Sequence, residues 1–407
     1  MRVLVINCGS STLKFQLIDI AAGNPGSASE NRLAHGMIEH IGGQARIDCV
    51  ADRTAYQDTM TIANHDEATR RIFAWLTGAS FLAPGSLDAV GHRVVHGGYR
   101  FTEPTCLDDN VIAAIDALRD LAPLHNEPAL SAIRAAKAVL GTSVPMVAVF
   151  DTAFHHTIPA CAAQYPIPRN LADRYHIRRY GFHGIAHRYM SERYATLTAT
   201  PPEQLKLITL QLGSGCSATA IAAGRSVDTS MGFTPLEGLM MGTRAGDIDP
   251  ALPGFLARQE GVEIGEVEAW LNTRSGLLGV SEGSSDMRQL LEAEAQGEAR
   301  AALAVDMFCY RVRKYIAAYL GVLNGAAAIV FGGGIGENAP AVRERICDQM
   351  SWCGLQLDPP RNAAARGTEA QISADNATLH AYVIPVDEAV IIARDTAACL
   401  GTCATHK

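Results

Sequence analysis

A strand–turn–strand unit stands at the start of the chain and returns half a chain later, and no other pattern restricts the fold as much. Residues 2–6 (RVLVI) are apolar and mostly β-branched or leucine. Residues 7–12 (NCGSST) are small and polar, and 13–20 (LKFQLIDI) include an alternating stretch with Leu13, Phe15 and Leu17 on one face. Residues 207–212 (LITLQL), 213–217 (GSGCS) and 218–223 (ATAIAA) repeat that order. The recurrence predicts an internal duplication: two domains of one design, each with a hairpin whose Gly-Ser turn exposes backbone N–H groups. The 407 residues suit two to three domains, each half being long enough to bury its own core.

A third element differs from the hairpins. Residues 328–331 (AIVF) read as a strand, followed by Gly332-Gly333-Gly334-Ile335-Gly336 and a helix from about Pro340. Strand, glycine loop and helix start form a phosphate- or nucleotide-binding arrangement, because glycine permits close backbone approach and the helix start carries partial positive charge. Residues 144–150 read as a buried strand ending at Asp151, and helices are expected near 109–121, 127–140, 184–197, 298–324 and 387–400. This alternation points to α/β layers. The expected division is 1–151 plus a returning 388–407, and 152–387.

Composition narrows the partners. Hydrophobic residues make up 48%, as in ordinary globular proteins, and the net charge is −8. That charge argues against nucleic acid or an anionic membrane as a partner, while leaving room for a local basic pocket. The apolar runs are far below the roughly 18 residues a membrane-crossing helix needs, and only four apolar residues separate Arg2 from Asn7, too few for a secretory core. A cytoplasmic protein is expected. The ten cysteines form no CxxC pair and read as small hydrophobes of a reducing compartment.

Several polar clusters are candidates for chemistry. The turn Asn7–Lys14 offers hydroxyls, backbone N–H groups and a lysine that suit a phosphate; it lacks the Walker A pattern and reads equally as a polar hairpin turn. Arg93 lies among glycines in GHRVVHGG (91–98), where a guanidinium grips a carboxylate or phosphate, or forms a structural salt bridge. His92 and His96, like His183 and His187, have zinc-like spacing, but without an HExxH form or neighbouring cysteines zinc is discounted. Asp151 ends an apolar strand, a place for a ligand site or a turn cap. Arg178 and Arg179 precede His183 in RRYGFHG, which fits an anion site or a satisfied core histidine. In 243–250 (TRAGDIDP) Arg244 stands beside Asp247 and Asp249, in a long irregular loop whose ordering costs entropy and which therefore favours function. Asp286 in SSDMR (284–288) is a ligand contact or a helix cap. Glu388 in PVDEA (385–389) is a hard-oxygen ligand for Mg²⁺ or an acid complementing a helix dipole.

Taken in order, these segments resemble the acetate/propionate kinase family, within the actin-like, sugar-kinase and Hsp70 superfamily. The resemblance runs from Val3 to about Leu400, and further rests on FDTAFH (150–155), MGFTPLEGLMMGTRAGDIDP (231–250), GGGIGEN (332–338) and PVDEAVIIARDT (385–396). It implies two duplicated actin-like (RNase H-like) α/β domains with ATP and substrate in an interdomain cleft, and a homodimer. It implies reversible phosphoryl transfer from ATP to acetate, giving acetyl phosphate and ADP, with Mg²⁺ or alternatively Mn²⁺. By the same resemblance Asn7 and Glu388 match the metal site, Lys14 an ATP contact and Arg93 the substrate-binding arginine. Asp151 matches the catalytic aspartate, and His183 and Arg244 the groups that stabilise the transition state. Gln211, Leu212, Gly213, Ser214 and Gly215, then Asp286, Met287 and Arg288, then Gly334, Ile335, Gly336, Glu337 and Asn338, match three ATP-contact segments. A short carboxylic acid, with a pKa of about 4–5, is already ionised at pH 7, so Asp151 is expected to position metal, water or arginine and not to remove a proton.

The sequence departs from the family at several positions. Gln211 and Ser214 replace the usual histidine and asparagine of the second phosphate turn, Ile185 and Ala186 replace two hydroxyl residues, Ala129 replaces an asparagine, and Thr12 stands where serine is usual. Losing one hydrogen bond to a phosphate costs about 1.5–3 kcal/mol, roughly 10- to 150-fold in rate if it acts only at the transition state. The competing readings are a propionate or other short-chain acyl kinase, a non-catalytic nucleotide-binding relative, and a kinase for an alcohol, in which Asp151 would be a true base.

Overall fold

The structure is a computed structural model, and it describes residues 1–20, 30–51, 54–79, 85–118 and 123–404, with the backbone alone at 123–125 and 403–404. The side chains of Pro123, Leu124, His125 and Cys403, and positions 119–121 of the helix expected over 109–121, therefore lie outside the described residues. The chain divides into two compact units, Met1–Ala153 with Asp387–Lys407, and Phe154–Val386.

The first unit is built on an eight-stranded sheet. Its strands are β1 (Arg2–Cys8), β2 (Thr12–Ile20), β3 (Glu30–Glu39), β4 (Gly43–Ala51), β5 (Thr54–Ile62), β6 (Ala89–Val94), β7 (Thr105–Cys106) and β8 (Met146–Phe150), in the order β5-β4-β3-β2-β1-β6-β8-β7. The hairpin β1–β2 is antiparallel, and β1, β6 and β8 run parallel. Every residue of β8 is buried, as expected of a strand covered on both faces. Helix His65–Gly78 starts at Asn64, whose side chain accepts from the Glu67 N–H at 3.0 Å, and it buries Ala68, Ile72, Phe73 and Leu76 against Leu13, Phe15 and Leu17 of β2. The closing helix Glu388–Ala404 lies against β6 because Gly91 has no side chain; a Cβ there would stand 2.8 Å from Ile392 Cγ2 and closer still to Thr396.

The second unit repeats the design. Strands β9 (Lys206–Leu212), β10 (Cys216–Ala222), β11 (Arg225–Thr229), β12 (Ala328–Gly332), β13 (Ala370–Gln371) and β14 (His380–Val383) form a sheet in the order β11-β10-β9-β12-β14-β13. Here β9–β10–β11 are antiparallel, while β9, β12 and β14 are parallel. The arrangement β3-β2-β1-β6-β8 of the first unit thus recurs as β11-β10-β9-β12-β14, which bears out the expected duplication and α/β class. One expectation fails. The glycine segment is not a loop before the helix Pro340–Cys347; Gly333–Asn338 is itself a short helix. Glycine costs about 1 kcal/mol in a helix relative to alanine, but side chains compensate. Glu337 Oε1 accepts from the Gly333 N–H at 2.8 Å and Asn338 Nδ2 donates to the Gly334 carbonyl at 3.0 Å. No described helix is long and apolar enough to cross a membrane.

Candidate active site

In the first unit, the carboxyl ends of the three parallel strands carry the candidate residues, where open α/β sheets place ligands. Asn7 is near the end of β1, Arg93 near the end of β6, and Asp151 follows β8. Arg93 Nη1 donates to Asn7 Oδ1 at 3.1 Å, and Nη2 forms an ion pair with Asp151 Oδ2. Asn7 Nδ2 donates to Glu388 Oε2 at 2.9 Å, and Glu388 stands 3.9 Å from Arg93 Nε. Asp151 is wholly buried, Arg93 13% exposed and Glu388 20%. Burial opposes charge on Arg93, but the carboxylates of Asp151 and Glu388 overcome it and push its pKa up. Burial, with Asp151 beside it, holds the Glu388 carboxyl above its ordinary range against the opposing pull of Arg93 and Lys14. Lys14, exposed on β2 directly across from Asn7, thus belongs to the same cluster.

Asp151 Oδ1 is buried with no hydrogen-bond partner. A carboxylate oxygen left this way favours a cation or a donor from a ligand, since an unpaired buried acceptor is costly. Together with Asn7 Oδ1 and Glu388 it makes a small all-oxygen set. Such a set fits Mg²⁺, which keeps several waters and takes one or two protein carboxylates beside substrate phosphates. Among the described residues no group of three or more His, Cys, Asp or Glu is placed to hold a metal ion.

In the second unit the turn Gly213–Gly215 between β9 and β10 is the centre. His183, immediately before the helix Gly184–Thr198, has left-handed backbone angles (φ 57°, ψ 25°), a conformation that costs a non-glycine residue about 1–3 kcal/mol. A Cβ added at Gly215 would lie 3.5 Å from His183 Nε2 and 3.6 Å from Arg244 Nη1, so both groups reach the turn. Arg244 donates to the Pro235 carbonyl at 3.2 Å and has no carboxylate in ion-pair range among the described residues; burial lowers its pKa. Its loop is possible because Gly276 (φ 62°) lies under it, where a Cβ would come 2.7 Å from the Arg244 carbonyl. Gln211 Oε1 is buried without a partner, and Ser214 is exposed at the turn. The start of Gly333–Asn338 packs on the same turn: a Cβ at Gly333 (φ 75°) would stand 2.6 Å from the Leu212 carbonyl.

Comparison with known proteins agrees with this reading. The acetokinase family model matches residues 2–394. The chain belongs to the acetokinase family. It is 48% identical to an acetate kinase of Solibacter usitatus, over 98% of each chain. Among solved structures it is similar to an acetate kinase of Porphyromonas gingivalis (37% identity, TM-score 0.89, 98% of this chain and 99% of that one). A propionate kinase of Francisella tularensis is as close (36% identity, TM-score 0.89, the same coverage).

Several polar residues singled out in the sequence are engaged by the protein itself. Arg179 is no anion site: it donates to Glu237 at 2.6 Å and to the carbonyls of Thr229, Ser230 and Met231. Asp247 does not pair with Arg244; it accepts from the Gly238 N–H and from Tyr315. Asp249 accepts from the Ala251 N–H. Asp286 caps the helix Met287–Ala295 and pairs with Arg288, which is 86% exposed. Leu212 and Met287 have buried side chains, so only their backbone is open to a nucleotide. Glu337 Oε1 accepts from the N–H groups of Gly333 and Val386. Ile185, Ala186 and Ala129 are buried, so their lost polar groups faced the interior. Asn126 pairs twice with the backbone of His96. The sequence reading missed Ser217 and Thr209, which with His187 join His183 through hydrogen bonds, and Arg343, a wholly buried guanidinium; His187 was singled out only for its spacing from His183. A signal existed for the hydrogen-bonded group: His183 and His187 are four apart across a helix start, and Thr209, Gln211 and Ser217 are polar positions on otherwise apolar strands.

Proposed function

We propose that the chain catalyses reversible phosphoryl transfer between ATP and acetate, forming acetyl phosphate and ADP. The observation that carries this reading is Arg244, a largely buried guanidinium without an acidic partner among the described residues, converging with His183 on the glycine turn. Arg244 has no carboxylate in ion-pair range among the described residues, so a ligand anion would answer its charge. A transferring phosphoryl group spreads negative charge over its equatorial oxygens, and catalysis is chiefly positioning and electrostatic stabilisation.

In this proposal Arg93 binds the acetate carboxylate and Asp151 holds Arg93 in place through the ion pair. Asn7, Glu388 and Asp151 hold Mg²⁺, with Mn²⁺ a substitute. When bound, the ion offsets charge on the nucleotide phosphates. Lys14, the 211–215 turn and the backbone of 286–288 and 334–338 receive ATP. A carboxylate oxygen attacks the γ-phosphorus in line, the bond to the β–γ bridging oxygen breaks, and ADP leaves with that electron pair; no proton moves. His183 and Arg244 stabilise the equatorial oxygens. A homodimer in the cytoplasm belongs to the same proposal, supported by the family alone. The net charge of −8 supports small anions held locally over nucleic acid or membrane.

The similarity to a propionate kinase favours a second acid, and one methylene changes discrimination by only about 1–3 kcal/mol. The test is acyl phosphate formation from ATP and Mg²⁺ with acetate, propionate or butyrate, trapped with hydroxylamine. Turnover is expected, with the rank of the acids naming the substrate. No turnover by a folded chain that binds ATP, or turnover only with alcohols, overturns the proposal.

A further inference from the structure

Behind His183 lies a line of three buried side chains that the proposed chemistry leaves unused. His183 Nδ1 is 2.9 Å from Ser217 Oγ, Ser217 Oγ is 2.7 Å from His187 Nε2, and His187 Nδ1 is 2.7 Å from Thr209 Oγ1. Ser217, His187 and Thr209 are each fully buried. Ser217 Oγ carries one proton and faces two imidazole nitrogens. It can donate to only one of them, and when it does so and accepts from the other, the two rings are in complementary states.

Two proton arrangements keep the Ser217 proton within the line. In one, Thr209 donates to His187 Nδ1, His187 Nε2–H donates to Ser217, Ser217 donates to His183 Nδ1, and His183 carries its proton on Nε2. In the other every bond is reversed, and the Nε2 of a neutral His183 is a bare lone pair. His183 Nε2 faces Gly215 beside Arg244 Nη1. A lone pair there would repel a phosphoryl oxygen. An imidazolium there would sit beside a guanidinium that has no carboxylate partner among the described residues. Only the first arrangement presents a neutral donor to the anion.

We propose that Thr209, His187 and Ser217 are positioning residues that hold His183 as the neutral Nε2–H tautomer, aimed at the transferred phosphoryl group. Burial keeps His187 neutral, its pKa held well below the usual imidazole range, as a relay of single hydrogen bonds requires. The backbone on the other side of His183 is held as well. His155 donates from Nε2 to the Phe182 carbonyl at 3.0 Å, and its Nδ1 accepts from Ser226 at 2.8 Å. The inference rests on the role proposed above for His183.

The direct test is a nitrogen-15 NMR spectrum of the whole chain labelled at histidine, with the His183 signals assigned by difference from His183→Asn. A pyrrole-like Nε2 and a pyridine-like Nδ1 on His183 are expected; a protonated Nδ1 overturns the relay. The spectrum requires no turnover, so it separates failure of the relay from failure of the acyl kinase reading. The kinetic test is Ser217→Ala. It should lower kcat about tenfold or more while KM for ATP stays within about twofold, with Ser217→Thr recovering most of the loss. Thr209→Val, at the far end of the line, should act in the same direction and keeps the test open if Ser217→Ala folds poorly. Equal loss in Ser217→Ala and Ser217→Thr, or unchanged kcat in Ser217→Ala and Thr209→Val, overturns the proposal.

Discussion

Asp151 is the residue whose setting says most. One of its oxygens is ion-paired with Arg93 and the other is buried with no partner. Asp151→Asn should therefore weaken Mg²⁺ binding and raise KM for acetate, with most turnover kept at saturating Mg²⁺. Loss of turnover with Mg²⁺ affinity unchanged would sink this account. Gly215 allows a complementary test. An alanine there would make ordinary contacts, 3.4 Å from His183 Cε1 and 3.6 Å from Arg244 Nη1, and would stand where the two groups converge. Gly215→Ala should melt close to the parent protein and lose about tenfold or more in kcat/KM, a barrier increase of about 1.4 kcal/mol. Thermal melting and steady-state assays together check it. At this scale charged residues at strand ends could be read from the sequence, because an acid or arginine after an apolar run has few structural uses. Arg179 could not be told from Arg244: both are arginines in glycine-rich segments, and only the fold shows that Glu237 and three carbonyls absorb the first.

Among the elements, the hairpins were legible and the glycine segment was not. Period-two alternation and a small polar turn mark a hairpin locally. Gly333–Asn338 is held not only by its own Glu337 and Asn338 but also by Arg343, which ties it to residues 362–365. Its guanidinium donates to the carbonyls of Gly336 at 2.8 Å, Glu337 at 3.1 Å and Asn362 at 2.8 Å, and to that of Ala365. Its Nε donates to Asn362 Oδ1 at 2.9 Å. No carboxylate is within ion-pair range among the described residues, and burial lowers its pKa to about 10. Arg343→Met would strand several buried carbonyls, each worth about 1–3 kcal/mol. A loss of about 3–5 kcal/mol is expected, together with faster amide exchange at Gly333 and a higher KM for ATP. Arg343→Lys should recover little, because three donors on one nitrogen do not span that fork. Urea unfolding and hydrogen exchange measure both effects; a change under 1 kcal/mol in Arg343→Met would refute the latch.

For the whole molecule, buried histidines set the response to acid. Burial holds His92 at about 3 and His187 well below the usual 6.5, and it lowers His65. Below pH 6.5 the unfolded chain binds a proton at His92 that the folded chain refuses until about pH 3. Stability from this neutral ring is thus complete above pH 6.5 and is lost as pH falls through that window, at about 1.4 kcal/mol per pH unit. Urea midpoints at pH 7.5 and 5.5 should differ in that direction, and His92→Gln should remove about one proton from the slope. An unchanged slope in His92→Gln would exclude His92 as a source.

The sequence by itself determined the duplication, the α/β class and the family, because these reside in local periodicity and in ordered motifs that need no partner to be recognised. It also named the residues at the strand ends. Only the tertiary structure decided which polar groups remain available to a ligand. A buried donor or acceptor must be satisfied, and its partner is set by packing: Glu237 takes Arg179, Ser217 joins His183 to His187, and among the described residues Asp151 Oδ1 has no donor and Arg244 no acid in ion-pair range. Those unanswered groups are where the chemistry is proposed to occur.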